Sequence, residues 1–87
     1  DFYLGTGDTE IAGFNYYPNP ATDQLNLSSG TGTIESAVMY NILGQEVLSR
    51  EVGSSNAQLN VSNLTVGTYI LKVVVDGELG IYKIVKQ

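Results

Sequence analysis

Apolar side chains return at every second position along much of this chain. Leu25 and Leu27 alternate with Gln24, Asn26 and Ser28, and Leu59 and Val61 alternate with Gln58, Asn60 and Ser62. This is the two-residue period of a β-strand with one buried face. Tyr69, Leu71, Val73 and Val75 share one face of a third run. In a fourth, Val38, Tyr40 and Ile42 oppose Ala37, Met39 and Asn41. Both faces of that run are largely apolar, which predicts an interior strand of a sandwich with Tyr40 and Tyr69 in register with the core.

Turn signals separate the runs. Phe14, Tyr16 and Tyr17 lead into Pro18-Asn19-Pro20, where two missing backbone donors and a bias toward extended geometry place a turn at a sheet edge. The stretch from Ser28 to Thr33 is flexible punctuation. Gly44, in Leu43-Gly44-Gln45-Glu46, reverses the chain into a strand that begins at Glu46. Asp76-Gly77 is a type I′ hairpin signal, and the last strand then covers about Leu79 to Val85.

Short strands with turns at roughly 8–12-residue spacing predict an all-β fold, an Ig-like antiparallel two-sheet β-sandwich of about seven strands. Leu64-x-x-Gly67-x-Tyr69 has the look of a tyrosine corner, in which the hydroxyl bonds back to upstream backbone. An ordinary core tyrosine is the competing reading. Asp1 to Gly13, with three glycines and neither period, reads as a linker, and residues 14–87 as the domain. The apolar start, Asp1-Phe2-Tyr3-Leu4, suits the tail of a preceding domain's last strand.

Composition narrows the function classes. The chain of 87 residues has room for one core. Its 43% hydrophobic and 15% charged residues are those of a chain that folds. A net charge of −5 with no basic cluster argues against nucleic acid and against anionic membrane surfaces. No apolar run approaches the ~20 residues of a spanning helix, so membrane insertion is not expected.

Reactive groups are scarce. There is no cysteine and no histidine, so a serine or threonine nucleophile would need a lysine as base. The lysines are Lys72, Lys83 and Lys86; the first two fall at solvated strand positions and none adjoins a serine motif. Asp76 with Glu78, and Glu46 with Glu51, read as solvated faces, and Asp8-Thr9-Glu10 is too sparse for a metal loop. No enzyme, metal or cofactor is expected. Asn26-Leu27-Ser28, Asn60-Val61-Ser62 and Asn63-Leu64-Thr65 match the glycosylation triplet, which strand-flanking asparagines produce by chance.

Three stretches taken in order, "YYPNPATDQLNL", "YNILGQEV" and "NLTVGTYILKVVVDG" with the closing "YKIVKQ", resemble the type A C-terminal sorting domain of the type IX (Por) secretion system of Bacteroidetes. Tyr17, Pro18, Asn19, Pro20 and Asp23 match the first motif, and Asn41, Gly44 and Gln45 the second. Leu64, Gly67 and Tyr69, the hairpin Gly77, and Lys83 and Lys86 match the last. The chain departs in ending at Gln87, where many relatives end in a basic residue. Pro18, Gly44, Gly67 and Gly77 are equally what turn geometry demands.

The resemblance implies a signal that directs an upstream cargo, attached in cis, across the periplasm and through the outer-membrane translocon to the cell surface or medium. It implies removal by a sortase-like C-terminal signal peptidase within the linker, expected near Gly5, Thr6, Gly7 and Asp8, and attachment of some cargos to an anionic lipopolysaccharide. The final hairpin, Val73 to Gln87, is the expected recognition element, with an exposed edge and two cations, Lys83 and Lys86. The same edge would allow a weak edge-strand dimer. The alternative is an Ig-like or fibronectin-like module binding polysaccharide or a cell-surface partner, appended to a secreted enzyme.

Overall fold

The computed structural model describes Ile11, residues 13–30 and residues 32–87. Seven strands follow in order: β1 (Phe14–Tyr17), β2 (Gln24–Ser29), β3 (Ile34–Tyr40), β4 (Glu46–Ser54), β5 (Asn56–Asn60), β6 (Gly67–Val75) and β7 (Glu78–Lys86). They form a three-stranded sheet of order β1-β2-β5 and a four-stranded sheet of order β4-β3-β6-β7, with every strand pair antiparallel. The predicted all-β, two-sheet sandwich is what the chain adopts.

The inward faces are those the alternation marked. Leu25, Leu27 and Leu59 from one sheet, with Val61 just past the end of β5, meet Met39, Leu71, Val73, Val75 and Ile84 from the other, all fully buried. Each such side chain contributes roughly 1.5–3 kcal/mol through its burial. A register shift between Ile34 and Ser36 lets Ile34 point inward with Ala37 and Met39 although the intervals differ in parity. A β-bulge of this kind re-aims a side chain that strict alternation would send to solvent.

The turns behave as their chemistry requires. Asp76 and Gly77 both take positive φ, 50° and 84°, as a type I′ turn needs. Asp76 Oδ1 also accepts from Thr33 N–H at 3.1 Å, Asp76 N–H donates to Thr33 O at 3.1 Å, and Gly77 N–H donates to Glu35 Oε2 at 2.9 Å. The β6–β7 hairpin tip is thereby fastened to the start of β3. The tyrosine corner is present: Tyr69, buried on β6, donates its hydroxyl to Thr65 O at 2.6 Å, with Thr65 Oγ1 3.1 Å away.

Two expectations about side chains change. Tyr40 is half-buried on the outward face of β3, its ring under Lys72 Nζ at 5.6 Å from the centroid, because Ala37 and Met39 take the inward positions. Lys86, expected as an exposed cation beside Lys83, is only 7% exposed. Its position on β7 is inward, and its ammonium reaches Gln87 O at 3.1 Å. Such a stem packs among apolar groups while its head finds a polar partner.

Candidate recognition surface

Strand direction gathers the motif residues. The end of β1, the start of β2, the end of β3, the start of β6 and the end of β7 all lie at one end of the sandwich. The register shows this, pairing Tyr17 with Asn26, Tyr40 with Ile70, Ile70 with Lys83, and Gly67 with Lys86. The Pro-Asn-Pro loop, the Asn41–Gln45 turn, the tyrosine corner and the chain's last residues therefore converge. Gly77 stands apart from them, at the opposite end, where β1 also begins with Phe14 opposite Ser29.

The Pro-Asn-Pro loop clamps the last strand. Its two prolines follow cis peptide bonds. Asn19 Oδ1 accepts from Val85 N–H at 3.0 Å, and Asn19 Nδ2 donates to Lys83 O at 3.4 Å. Ala21, fully buried, donates its N–H to Val85 O at 2.8 Å, and its carbonyl accepts from Gln87 N–H at 2.7 Å in a short parallel bridge. A loop that lacks two donors of its own thus completes the ladder of a strand in the other sheet. The last-strand edge, expected to be exposed, is covered from Lys83 O to Gln87.

The second motif is a self-contained turn. Asn41 Oδ1 accepts from Leu43 N–H at 2.9 Å and Gln45 N–H at 3.0 Å, while Asn41 Nδ2 donates to Gln45 Oε1 at 2.9 Å. Gly44 takes φ 84° with open space around it. Leu64 is half-buried and its N–H donates to Val61 O at 3.0 Å. Asp23 acts through its backbone, its carbonyl accepting from Val61 N–H at 2.9 Å, and its side chain is exposed. Lys83 is exposed as expected.

The proposed cut region, Gly5, Thr6, Gly7 and Asp8, lies outside the described residues, as does most of the linker. Ile11 and Gly13 are described, and both are tied to the sandwich. Ile11 is buried with its N–H donating to Tyr82 Oη at 2.8 Å, and Gly13 O accepts from Gly30 N–H at 2.9 Å.

The outward face of the four-stranded sheet was not foreseen as a surface. Val38, Lys72 and Ile81 form one cross-strand row, Tyr40, Ile70 and Lys83 a second, and Ser36, Val74 and Leu79 a third. Beside them Ile42 and Leu43, 78% and 79% exposed, project from the turn. A groove of about 600 Å³ runs between Tyr40, Ile70, Lys72 and Ile81 and the Asn41–Gly44 turn. The face thus combines apolar side chains with the cations Lys72 and Lys83. The signal in the sequence was the apolar character of both faces of residues 37–42, taken there as evidence of full burial.

The outward face of the other sheet has a different chemistry. Asn15, Tyr17, Gln24, Asn26, Ser28, Asn56, Gln58 and Asn60 occupy it. It carries six carboxamides and no charge. A hollow of about 460 Å³ lies beside Tyr17, Asn26, Asn56 and Gln58.

Among the described residues no group of three or more acidic side chains could hold a metal ion, and no helix is long and apolar enough to cross a membrane. Among the described residues the arrangement offers turns, an edge and two contrasting faces, and no converging reactive groups.

Comparison with known proteins agrees with the three motifs. The family model described as "Secretion system C-terminal sorting domain" matches residues 15–87. Among solved structures the chain is similar to PorZ of Porphyromonas gingivalis, described as an essential bacterial surface component of the type-IX secretion system. That similarity has a TM-score of 0.71 at 15% identity and covers 93% of this chain but 12% of that one. At that identity the likeness concerns the fold. No curated protein matches the chain.

Proposed function

The chain belongs to the family of secretion system C-terminal sorting domains, and from that premise we propose how it serves as a sorting signal of type IX secretion. The family is not an enzyme family. A sorting domain of this kind implies export of its cargo through the outer membrane to the cell surface or medium, and contact with the secretion machinery.

In our reading the cargo precedes residue 1, crosses the periplasm with this domain folded behind it, and is delivered when the outer-membrane translocon engages the end where the motifs converge. The sortase-like signal peptidase then cuts near Gly5 to Asp8, and the cargo is released or joined to lipopolysaccharide. One observation carries this: the motif residues hold turns and the last strand in place instead of assembling a reactive centre. The support from geometry is that β1 begins at the far end from that surface, so an upstream domain leaves it accessible.

A fluorescent protein carrying residues 1–87 at its C-terminus, expressed in a type IX-competent cell, tests the reading. Export with loss of the domain's mass is expected, and retention inside the cell would refute it. Removing Lys83 to Gln87 from the same fusion is expected to abolish export, because it strips β7 of the segment that Asn19 and Ala21 hold.

A second reading rests on the carboxamide face. Neutral donors and acceptors beside an exposed tyrosine ring are the groups that grip an uncharged polysaccharide. Affinity gel electrophoresis in neutral glucans, compared with a Tyr17→Ala variant, separates the two: retardation lost on substitution favours the binding module.

A further inference from the structure

The clamp divides the edge of β7 into two halves. Backbone groups of an antiparallel strand alternate in direction, so a residue's N–H and C=O face the same neighbour and the next residue's face the other. Lys83 O, Val85 N–H, Val85 O and Gln87 N–H face the Pro-Asn-Pro loop. The same parity turns the N–H and C=O of Leu79 and Ile81, and the N–H of Lys83, to the outer edge. Among the described residues none of these has a partner across that edge.

The side chains of the same three residues lie on the apolar outward face. Leu79 is 49% exposed, Ile81 borders the groove, and Lys83 is exposed. Lys83 is the cation next to the open edge. Glu46 and Glu51 stand across the sheet on β4, opposite Tyr40 and Ser36, and Arg50 pairs with Ala37 on the other face. The face is thus positive on the β7 side in a chain of net charge −5.

We propose that the open half of the β7 edge, Leu79 to Lys83, is the seat of an extended partner strand that carries apolar side chains opposite Leu79 and Ile81 and a carboxylate opposite Lys83. This rests on the sorting reading and identifies the partner's chemistry. The free backbone groups supply the ladder, the apolar row supplies burial, and directly opposed residues of an antiparallel pair sit close enough for the lysine to meet the acid. A natural sheet leaves a hydrophobic edge open where a strand is to be received, because such an edge otherwise invites aggregation. The Pro-Asn-Pro clamp sets the limit of the seat and prevents the strand from sliding past Lys83.

The test uses the 87-residue chain and a capped peptide of sequence Thr-Glu-Thr-Val-Thr-Val-Thr, whose glutamate falls opposite Lys83 and whose valines fall opposite Ile81 and Leu79 in an antiparallel pair, with a second peptide in which lysine replaces the glutamate. Amide exchange by NMR is followed at Leu79, Ile81 and Lys83. With the glutamate peptide at ten times its Kd, exchange at these amides slows about tenfold while Val85 and Gln87 are unchanged. The lysine peptide binds more weakly, and Lys83→Glu reverses the preference. Ile81→Pro removes an outward N–H without breaking the β6–β7 ladder and abolishes binding.

Equal effects of the two peptides, effects confined to another face, no binding at millimolar peptide, or full protection at Leu79 and Ile81 before peptide is added would each overturn the proposal. Export of the fluorescent fusion keeps the two readings apart. If the unsubstituted fusion is exported and Lys83→Glu and Ile81→Pro are exported equally well, the seat is wrong and the sorting signal stands. If the unsubstituted fusion is retained, the sorting reading fails while the peptide measurements still judge the seat.

Discussion

Asn19 is the motif side chain that the clamp depends on most directly. Replacing it with alanine removes an acceptor for Val85 N–H at 3.0 Å and a longer donation to Lys83 O at 3.4 Å. Both bonds are exposed, so water takes over the freed groups and the loss is the net value of a hydrogen bond, about 1 kcal/mol for the pair. Unfolding entropy near 2.1 cal/mol/K per residue amounts to about 0.18 kcal/mol/K for a chain of this length, so Tm falls by about 5 °C.

The local effect is larger than the global one. Val85 N–H loses its partner while Ala21 still holds Val85 O and Gln87 N–H at 2.8 and 2.7 Å, so amide exchange quickens at Val85 more than at Leu71 in the core. Differential scanning calorimetry gives the first number and hydrogen exchange the second. Asp23→Ala is the matched control, because its side chain is exposed and its carbonyl contact to Val61 survives; its stability should stay within the range of an ordinary surface change, about ±0.5 kcal/mol, which is within about 3 °C in Tm. If Asn19→Ala leaves Val85 exchange unchanged, or Asp23→Ala destabilises as much, the clamp does not hold the strand.

Other substitutions probe the scaffold. Tyr69→Phe deletes the 2.6 Å bond to Thr65 O and is expected to lower stability by about 1 kcal/mol in urea titration, with the slope m unchanged. Gly77→Ala places a Cβ at φ 84° with nothing nearby to relieve or worsen it, and should lose about 1–2 kcal/mol by the same assay. Gly80→Ala sets a methyl 2.8 Å from Ile11 Cδ1 and 2.9 Å from Tyr82 Cε2, and should lose about 1–3 kcal/mol; an Ile11→Ala partner change recovers part of that loss if Ile11 packs there.

How far the sequence carried the fold depends on whether a signal was local. The faces of β2, β5 and β6 were legible because a two-residue period reports directly which side chains a pleat turns inward. The Asp76-Gly77 turn was legible because few residue pairs tolerate positive φ at both positions. Asn41 and Gln45 were singled out from a motif, and their bonds span four residues, so the turn they build is also local. Tyr69 is the same case, its partner four residues upstream.

The remainder was decided by residues distant along the chain. Asn19 meets Lys83 and Val85 across 64 and 66 residues, and nothing in the spacing of Pro18, Asn19 and Pro20 says which strand they will cap. Lys86 looked like a surface cation because charge favours water, but the parity of β7 set by its pairing with β6 turned it inward. The bulge at Ile34 to Ser36 shifts parity without a residue that announces it. Apolar residues on both faces of β3 pointed to burial on both sides, yet did not say what covers each face, since burial is a property of the assembled sheets. Pattern along the chain fixes what each strand can bury; only strand order and register decide which edge is closed, which is left open, and where the apolar face ends up.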